Sequence, residues 1–324
     1  MNLTVSMSEM NKDISLIEER IREVTLTDND MIQSVSNHLL DAGGKRIRPI
    51  FVLIASQFGK VNKELIINVA VALELIHMAS LVHDDIIDHA TIRRGRPTVN
   101  KRWDNGTALY TGDFIFARTL ELLKPFKNDR LHQVLSNTMH ELCIGEIEQI
   151  RDKYQMNQSL LTYFRRIKRK TALLIASSTE MGALAANVNE KDVQLLKKYG
   201  YYIGMSYQII DDILDFTSTE EELGKPVGSD LLYGHLTLPA LLACEDETIY
   251  HSIKAYFKNP NSEAYEFKIK QIIKRIKQSD AIKEAYNYSQ AYLEKANKVL
   301  KKLPTNGAKE SLQQIATYLS QRKY

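Results

Sequence analysis

The chain has 324 residues, of which 44% are hydrophobic and 26% charged, with a formal net charge of +3. That balance excludes a disordered or fibrous polymer, and the nearly matched acids and bases argue against a protein whose task is to neutralise a nucleic-acid backbone. Only two cysteines occur, Cys143 and Cys244, in no metal-ligand spacing, so neither a disulfide framework nor a zinc site is expected and a reducing cytoplasm is.

At the N-terminus, "MNLTVSMSEMNKDISLIEER" has neither the basic start nor the apolar core of a signal peptide. No stretch approaches the roughly 20 apolar residues that a membrane-spanning helix needs, so neither export nor a span is expected. Apolar residues recur at intervals of three and four almost throughout, while sustained period-two alternation is scarce. The spacing predicts an all-α chain of long helices joined by short turns. No linker-like or low-complexity run divides residues 1–324, which read as a single domain.

The first break, "DAGGKRIRP" (41–49), sets Lys45, Arg46 and Arg48 beside a pair of glycines. It lacks the leading glycine and the Ser/Thr of a P-loop, so it is either the basic start of a surface helix or a phosphate-binding corner. A long apolar helix, "ELIINVAVALELIHMASLVHDDIID" (64–88), follows and ends in Asp84, Asp85 and Asp88. His77 lies seven residues before Asp84, near the same helix face, and is a candidate donor to phosphate; His83 reads as an ordinary rim residue. Next comes "RRGRPT" (93–98), whose Arg93, Arg94 and Arg96 offer planar donor forks suited to phosphate.

Further along, "RRIKRKTALLIA" (165–176) carries Lys168, Arg169 and Lys170, a basic helix face except that Lys170 and Thr171 precede a buried-looking run. The helix "LLKKYGYYIGMSYQIIDDILDF" (195–216) repeats the acidic pattern with Asp211, Asp212 and Asp215. Segment 224–239, "GKPVGSDLLYGHLTLP", is glycine-rich, follows the acidic run Glu220 to Glu222 and is a candidate mobile lid; "KNPNS" and "KLPTNG" read as plain turns.

Both aspartate triplets have the spacing i, i+1, i+4, which stacks the first and last carboxylates on one helix face. A solvated acidic face is the ordinary reading of such a pattern. Here apolar residues surround each triplet, and two unit charges about 4 Å apart repel by roughly 4 kcal/mol at an effective dielectric near 20. A half-buried acidic cluster therefore needs cations. Six carboxylates without a His/Cys ligand set suit a hard ion such as Mg²⁺, which takes one or two carboxylates and completes its shell with water and substrate phosphate.

From "GGKRIRP" through "LVHDDIIDHATIRRGRPT", "RKTALL", "YQIIDDILDF" and "LGKPVGSD" to "TLP", the chain closely resembles the trans-type polyprenyl diphosphate synthases over nearly its whole length. The resemblance implies the isoprenoid synthase fold, an all-α bundle around a central cavity, usually dimeric. It implies Mg²⁺ ligation by Asp84, Asp88 and Asp211, with Asp85, Asp212 and Asp215 in the surrounding metal–water shell. Arg93, Lys170, Gln208 and Lys225 would face an allylic diphosphate. Gly44, Lys45, Arg48, His77 and Arg94 would hold isopentenyl diphosphate, and Thr171 would lie near the developing allylic cation. Many members have a lysine in the turn before "TLP"; His235 stands there instead.

Within the family the chain is most similar to the catalytic components of heteromeric, heptaprenyl-forming members. This implies a small noncatalytic partner subunit, or self-association, and a long product for the menaquinone side chain, delivered to the membrane. In short-chain members a bulky aromatic commonly stands four or five residues before the first aspartate. Ser80 and Ala79 occupy those positions here, implying an open tunnel that Ile76, Leu73 and Val69 would line, each turn about 5.4 Å deeper. A homomeric synthase of shorter products and a terpene cyclase are the rival readings. "GGKRIRP" argues against a cyclase, which needs no isopentenyl diphosphate site, and both intact aspartate motifs argue against a purely regulatory subunit.

Overall fold

The structure, a computed structural model, describes residues 7–60, 62–223, 226–260 and 263–321. As the spacing predicts, the described residues are helical nearly throughout; one short hairpin pairs Ile92–Arg93 with Arg96–Pro97. The chain forms two compact units, each assembled from separated stretches. The first comprises Met1–Glu141, Leu173–Gly200 and Asn297–Ile315, the second Leu142–Ala172, Tyr201–Ala296 and Ala316–Tyr324.

In the first unit the helix Lys63–Ile87 packs against Met7–Val24, Ile47–Ser56, Asn105–Leu123 and Leu173–Ala185. Asn62 caps its start by accepting a hydrogen bond from Leu65 N at 3.2 Å. Its middle is apolar on every side, and such a helix is stable only when enclosed. Val69, Leu73, Ile76 and Ala79 are all fully buried, and each Leu or Ile side chain so removed from water contributes roughly 1.5–3 kcal/mol. By length and composition this helix could cross a membrane, since an 18-residue window of it reaches a mean hydropathy of 2.1, so the expectation that no stretch approaches a span is corrected. Within the protein 72% of that window is buried, as befits a core helix.

The helix ends where His89 enters the left-handed region at φ 51°. The hairpin beyond it turns on two residues, Arg94 and Gly95, both with positive φ (53° and 73°), the turn whose twist matches that of paired strands. In the second unit the helix Leu160–Ile167, the π-helical turn Lys168–Ala172 and residues 201–217 of the helix Glu190–Thr217 surround a core that includes Tyr163, Ile209, Ile213 and Phe216. Gly204 allows the close approach there: a Cβ on it would stand 2.5 Å from Ala172 Cα.

A comparable close approach binds two helices of the first unit. A Cβ on Gly182, in Leu173–Ala185, would stand 2.4 Å from the carbonyl oxygen of Val52, in Ile47–Ser56. Because a backbone atom cannot swing aside, Gly182→Ala is expected to lower stability by about 1–3 kcal/mol. The urea midpoint should fall at unchanged slope; an unmoved midpoint would mean that these helices part without strain.

Candidate active site

The first unit places Asp84, Asp85 and Asp88 at the C-terminal end of Lys63–Ile87, the first two buried and the third half-buried. This is an unfavourable position for acids, because exposed carbonyl ends already make a helix C-terminus negative. The hairpin supplies the opposing charge. Arg93 reaches Asp85 Oδ1 with both Nη2 (2.6 Å) and Nε (2.7 Å). Burial pushes the Asp85 carboxyl above its usual range, and the Arg93 contact only partly opposes this. Burial likewise works against the Arg93 cation, but Asp85, Asp84 and Asp88 more than offset it.

Several bonds hold the hairpin in place. Asn100 Nδ2 donates to Asp85 O and Ala90 O, both at 3.2 Å, and Thr98 Oγ1 donates to Ala90 O at 2.7 Å. His38 Nδ1 accepts from Arg102 Nη1 (2.9 Å), which leaves Nε2 as the donor to Pro97 O (2.8 Å). Arg94 Nη1 donates to Gly43 O. A Cβ on Gly44 would come within 2.7 Å of that guanidinium, so the glycine makes room for Arg94.

The hairpin and the "GGKRIRP" loop thus meet. His77, half-buried on the stripe of Asp84, is held well below its usual pKa by burial and then by Arg48, Arg94, Arg93 and Arg46. Lys45 and Gly44 are exposed. Arg46, grouped with Lys45 and Arg48 as a phosphate-binding corner, instead turns inward from a left-handed backbone (φ 48°). Its Nη1 lies 3.1 Å from Glu74 Oε1 and its Nε 3.2 Å from Glu18 Oε1, so it acts as a structural cation.

In the second unit Lys170 and Thr171 lie in the π-helical turn, a distortion common at functional sites. Lys170 Nζ donates to Gln149 Oε1 at 3.0 Å and stands 4.0 Å from Glu146. Thr171 Oγ1 donates to Gln208 Oε1 (2.5 Å), and Gln208 Nε2 donates to Asp212 Oδ1 (2.7 Å). Asp212 Oδ2 accepts from Tyr163 Oη at 2.7 Å. Burial, with Asp230 second, pushes the Asp212 carboxyl up to about 7, against the opposing pull of those two donors.

Asp211 is half-buried, while Asp215 is enclosed: its Oδ1 accepts from Ser229 Oγ (2.9 Å) and its Oδ2 from Asp230 N (3.2 Å). Asp215, expected in the metal–water shell, is therefore engaged in holding the chain at Ser229 and Asp230. The described part of the expected lid is correspondingly tied down, with Ser229, Leu231 and Leu236 buried and His235 N donating to Asp230 O at 2.8 Å. His235 is half-buried. Lys225 lies outside the described residues.

The sequence reading missed His38, Glu74 and Tyr163, and only Glu74, a lone acid in an apolar helix, carried any signal. Among the described residues no three His, Cys, Asp or Glu side chains converge as a metal cage. The available donors are carboxylate oxygens in small numbers, which fits a hard cation that fills its remaining positions with water and phosphate oxygens.

The family described as Polyprenyl synthetase matches residues 29–276. Over 324 residues the chain is 50% identical to heptaprenyl diphosphate synthase component 2 of Bacillus subtilis, covering 100% of this chain and 92% of that protein. The crystal structure of heptaprenyl diphosphate synthase from Staphylococcus aureus superposes with a TM-score of 0.91 at 45% identity, over 97% of this chain and 99% of that one. A polyprenyl synthase from Caulobacter crescentus, crystallised with calcium and isoprenyl diphosphate, gives 0.91 at 30% identity, over 99% and 97%. The chain therefore shares the isoprenoid synthase fold of these proteins.

His77 generates a pH prediction. Its folded pKa lies below the ordinary 6.5, so the unfolded chain takes up a proton that the folded one refuses. Stability is then whole above pH 6.5 and falls as the pH drops through that value. Between about pH 7.5 and about pH 5.5 the fall in urea midpoint is expected to be smaller in His77→Gln. An imidazole that titrates at or above its ordinary value by NMR would contradict this.

Proposed function

The chain belongs to the polyprenyl synthetase family, and on that premise we propose that it is a trans-prenyltransferase condensing isopentenyl diphosphate with an allylic diphosphate to heptaprenyl diphosphate. Farnesyl diphosphate is the expected primer, and the product serves the menaquinone side chain. The observation that carries this reading is the joining of opposite charges in the first unit. The acidic helix end Asp84, Asp85 and Asp88 adjoins Arg93, while Arg94 and Arg48 stand around a neutral His77. An acidic edge for metal beside a cationic corner for diphosphate is what a two-diphosphate reaction requires.

Asp84 and Asp88, and in the second unit Asp211, would hold Mg²⁺, three ions with substrate present, which when bound would supply positive charge for the departing diphosphate. Asp85 holds Arg93 for that diphosphate, and the family resemblance assigns Lys170, Gln208 and Lys225 to the same ligand; His235 stands where many members place a further cation. Gly44, Lys45, Arg48, His77 and Arg94 hold isopentenyl diphosphate, with uncharged His77 able to donate one N–H. The allylic cation forms beside Thr171, the double bond of isopentenyl diphosphate attacks it, and the released pyrophosphate takes the lost proton. The family match from residue 29 to residue 276 supports reading the chain as one polyprenyl synthase domain. That the Bacillus subtilis relative is a component 2 supports a partner component, which on this reading is small and noncatalytic. Burial of Lys63–Ile87, among the described residues the one helix long and apolar enough to cross a membrane, is consistent with a cytoplasmic enzyme that hands its product to the membrane.

Mass analysis of products from farnesyl diphosphate, isopentenyl diphosphate and Mg²⁺ tests the reading. Heptaprenyl diphosphate is expected with the partner and little long product without it; EDTA should abolish turnover, and Asp84→Ala or Asp211→Ala should lower kcat by about a thousandfold. Full activity in EDTA would sink metal dependence. Efficient heptaprenyl synthesis by the single chain would establish a homomeric enzyme.

Product length is read on the helix Lys63–Ile87. Leu73, His77, Ser80 and Asp84 follow one stripe of a 3.6-residue helix, whereas Ala79 lies about 140° round from Asp84. Ser80 is half-buried, while Leu73, Ile76 and Ala79 are fully buried. Ser80→Phe is thus expected to shift products toward farnesyl or geranylgeranyl length with the first condensation intact. Ala79→Phe should shorten them at an added stability cost of about 1–3 kcal/mol from overpacking. Unchanged product length in Ser80→Phe would place the growing chain elsewhere.

A further inference from the structure

Tyr163 is absent from the chemistry above, yet it begins a hydrogen-bond chain that ends on Thr171. It sits mid-way along Leu160–Ile167, fully buried, with the Phe164 ring edge-on at 5.3 Å and the Arg166 guanidinium 5.8 Å from its ring centre. Arg166 is itself fixed, donating to Gln158 Oε1 at 2.7 Å and to Leu236 O at 2.6 Å. The phenol has little freedom to move, and its hydroxyl donates to Asp212 Oδ2.

With Asp212 as the ionised carboxylate, each bond from Tyr163 onward runs in one direction. Tyr163 keeps its proton, because burial and the neighbouring Asp212 hold its pKa well above the ordinary value. The Asp212 carboxylate accepts Tyr163 on one oxygen and Gln208 Nε2 on the other. An amide whose nitrogen faces Asp212 must turn its oxygen the other way, toward Thr171. That oxygen can only accept, so the single hydroxyl proton of Thr171 is taken up by it. What Thr171 then presents outward is lone pairs. A hydroxyl directed this way stabilises positive charge growing nearby, whereas one with its proton pointing outward repels it.

We propose that Tyr163 is a positioning residue for prenyl transfer, which through Asp212 and Gln208 orients the Thr171 hydroxyl so that only its lone pairs face the developing allylic cation. The inference rests on the proposed placement of Thr171 beside that cation. Without the phenol hydroxyl a buried oxygen of Asp212 loses its donor, and the carboxylate is no longer held at a fixed angle to Gln208. The amide is then free to turn over, and the direction of the Thr171 hydroxyl is no longer set.

The test is a double-mutant cycle on the full chain, with its partner protein if one is needed, using farnesyl diphosphate, isopentenyl diphosphate and Mg²⁺. Tyr163→Phe is expected to lower kcat about 10- to 100-fold with both KM values within about twofold of the parent. Thr171→Val should lower kcat comparably, and the double variant should be no slower than Thr171→Val alone, since both changes act through one hydroxyl. An unchanged kcat in Tyr163→Phe or Thr171→Val, or losses that multiply in the double variant, would overturn the proposal. If melting shows that Tyr163→Phe is destabilised, the same cycle is run below its melting temperature, where the chain is folded. Multiplying losses with Thr171→Val would overturn the proposal there too. A parent chain that makes no prenyl product at all would instead refute the proposed function.

Discussion

Carboxylates gathered at the C-terminal end of a buried helix are the constraint on which the first unit depends. Asp84, Asp85 and Asp88 add negative charge where the helix carbonyls already concentrate it, and Asp84 and Asp85 do so almost out of contact with water. Packing cannot relieve this; only a cation can. The hairpin after the helix meets that need by bringing Arg93 onto Asp85. The left-handed turn at Arg94 and Gly95, the Asn100 and Thr98 bonds beneath it, and the His38 bond to Pro97 all serve to hold a guanidinium there.

The same electrostatics separates cations with different tasks. Arg46 and Glu74 are both nearly inaccessible, and removing one partner of such a pair typically costs about 3–5 kcal/mol because the other charge is stranded. Exposed pairs such as Arg20–Glu23 and Arg22–Asp41 contribute roughly 0–1 kcal/mol each, so they do little to shape the fold. Arg46 therefore anchors the loop, while burial, helped by Arg48 and Arg94, keeps the His77 imidazole uncharged. A neutral donor among cations suits phosphate, because it adds a directed hydrogen bond without further charge repulsion.

In the second unit the controlling feature is direction rather than charge. Gly204 brings one helix onto Ala172, and the π-helical turn sets Thr171 against Gln208 one turn further on. Tyr163 and the Asp212 carboxylate complete a chain in which, while Asp212 is ionised, each donor faces one acceptor. Asp215, the last acid of that motif, is enclosed by Ser229 and the Asp230 amide, so two triplets of identical spacing are used differently.

By itself the sequence determined the all-α class, the two aspartate motifs and the basic elements at residues 43–49 and 93–96, and it singled out His77 and Thr171 as candidates. Those features rest on helical periodicity and on residue types grouped within a few turns, which survive in a linear string. Only the tertiary structure decided that Arg46 faces inward to Glu74, that a hairpin rather than a plain turn carries Arg93 and Arg94, that His38 supports it, and that Tyr163 stands behind Asp212. Partners separated by 28, 59 and 49 residues have no local pattern to betray them. Whether an arginine serves a ligand or a buried glutamate depends on which way its backbone turns and what lies within about 3 Å of its tip, and both are settled only when the helices pack.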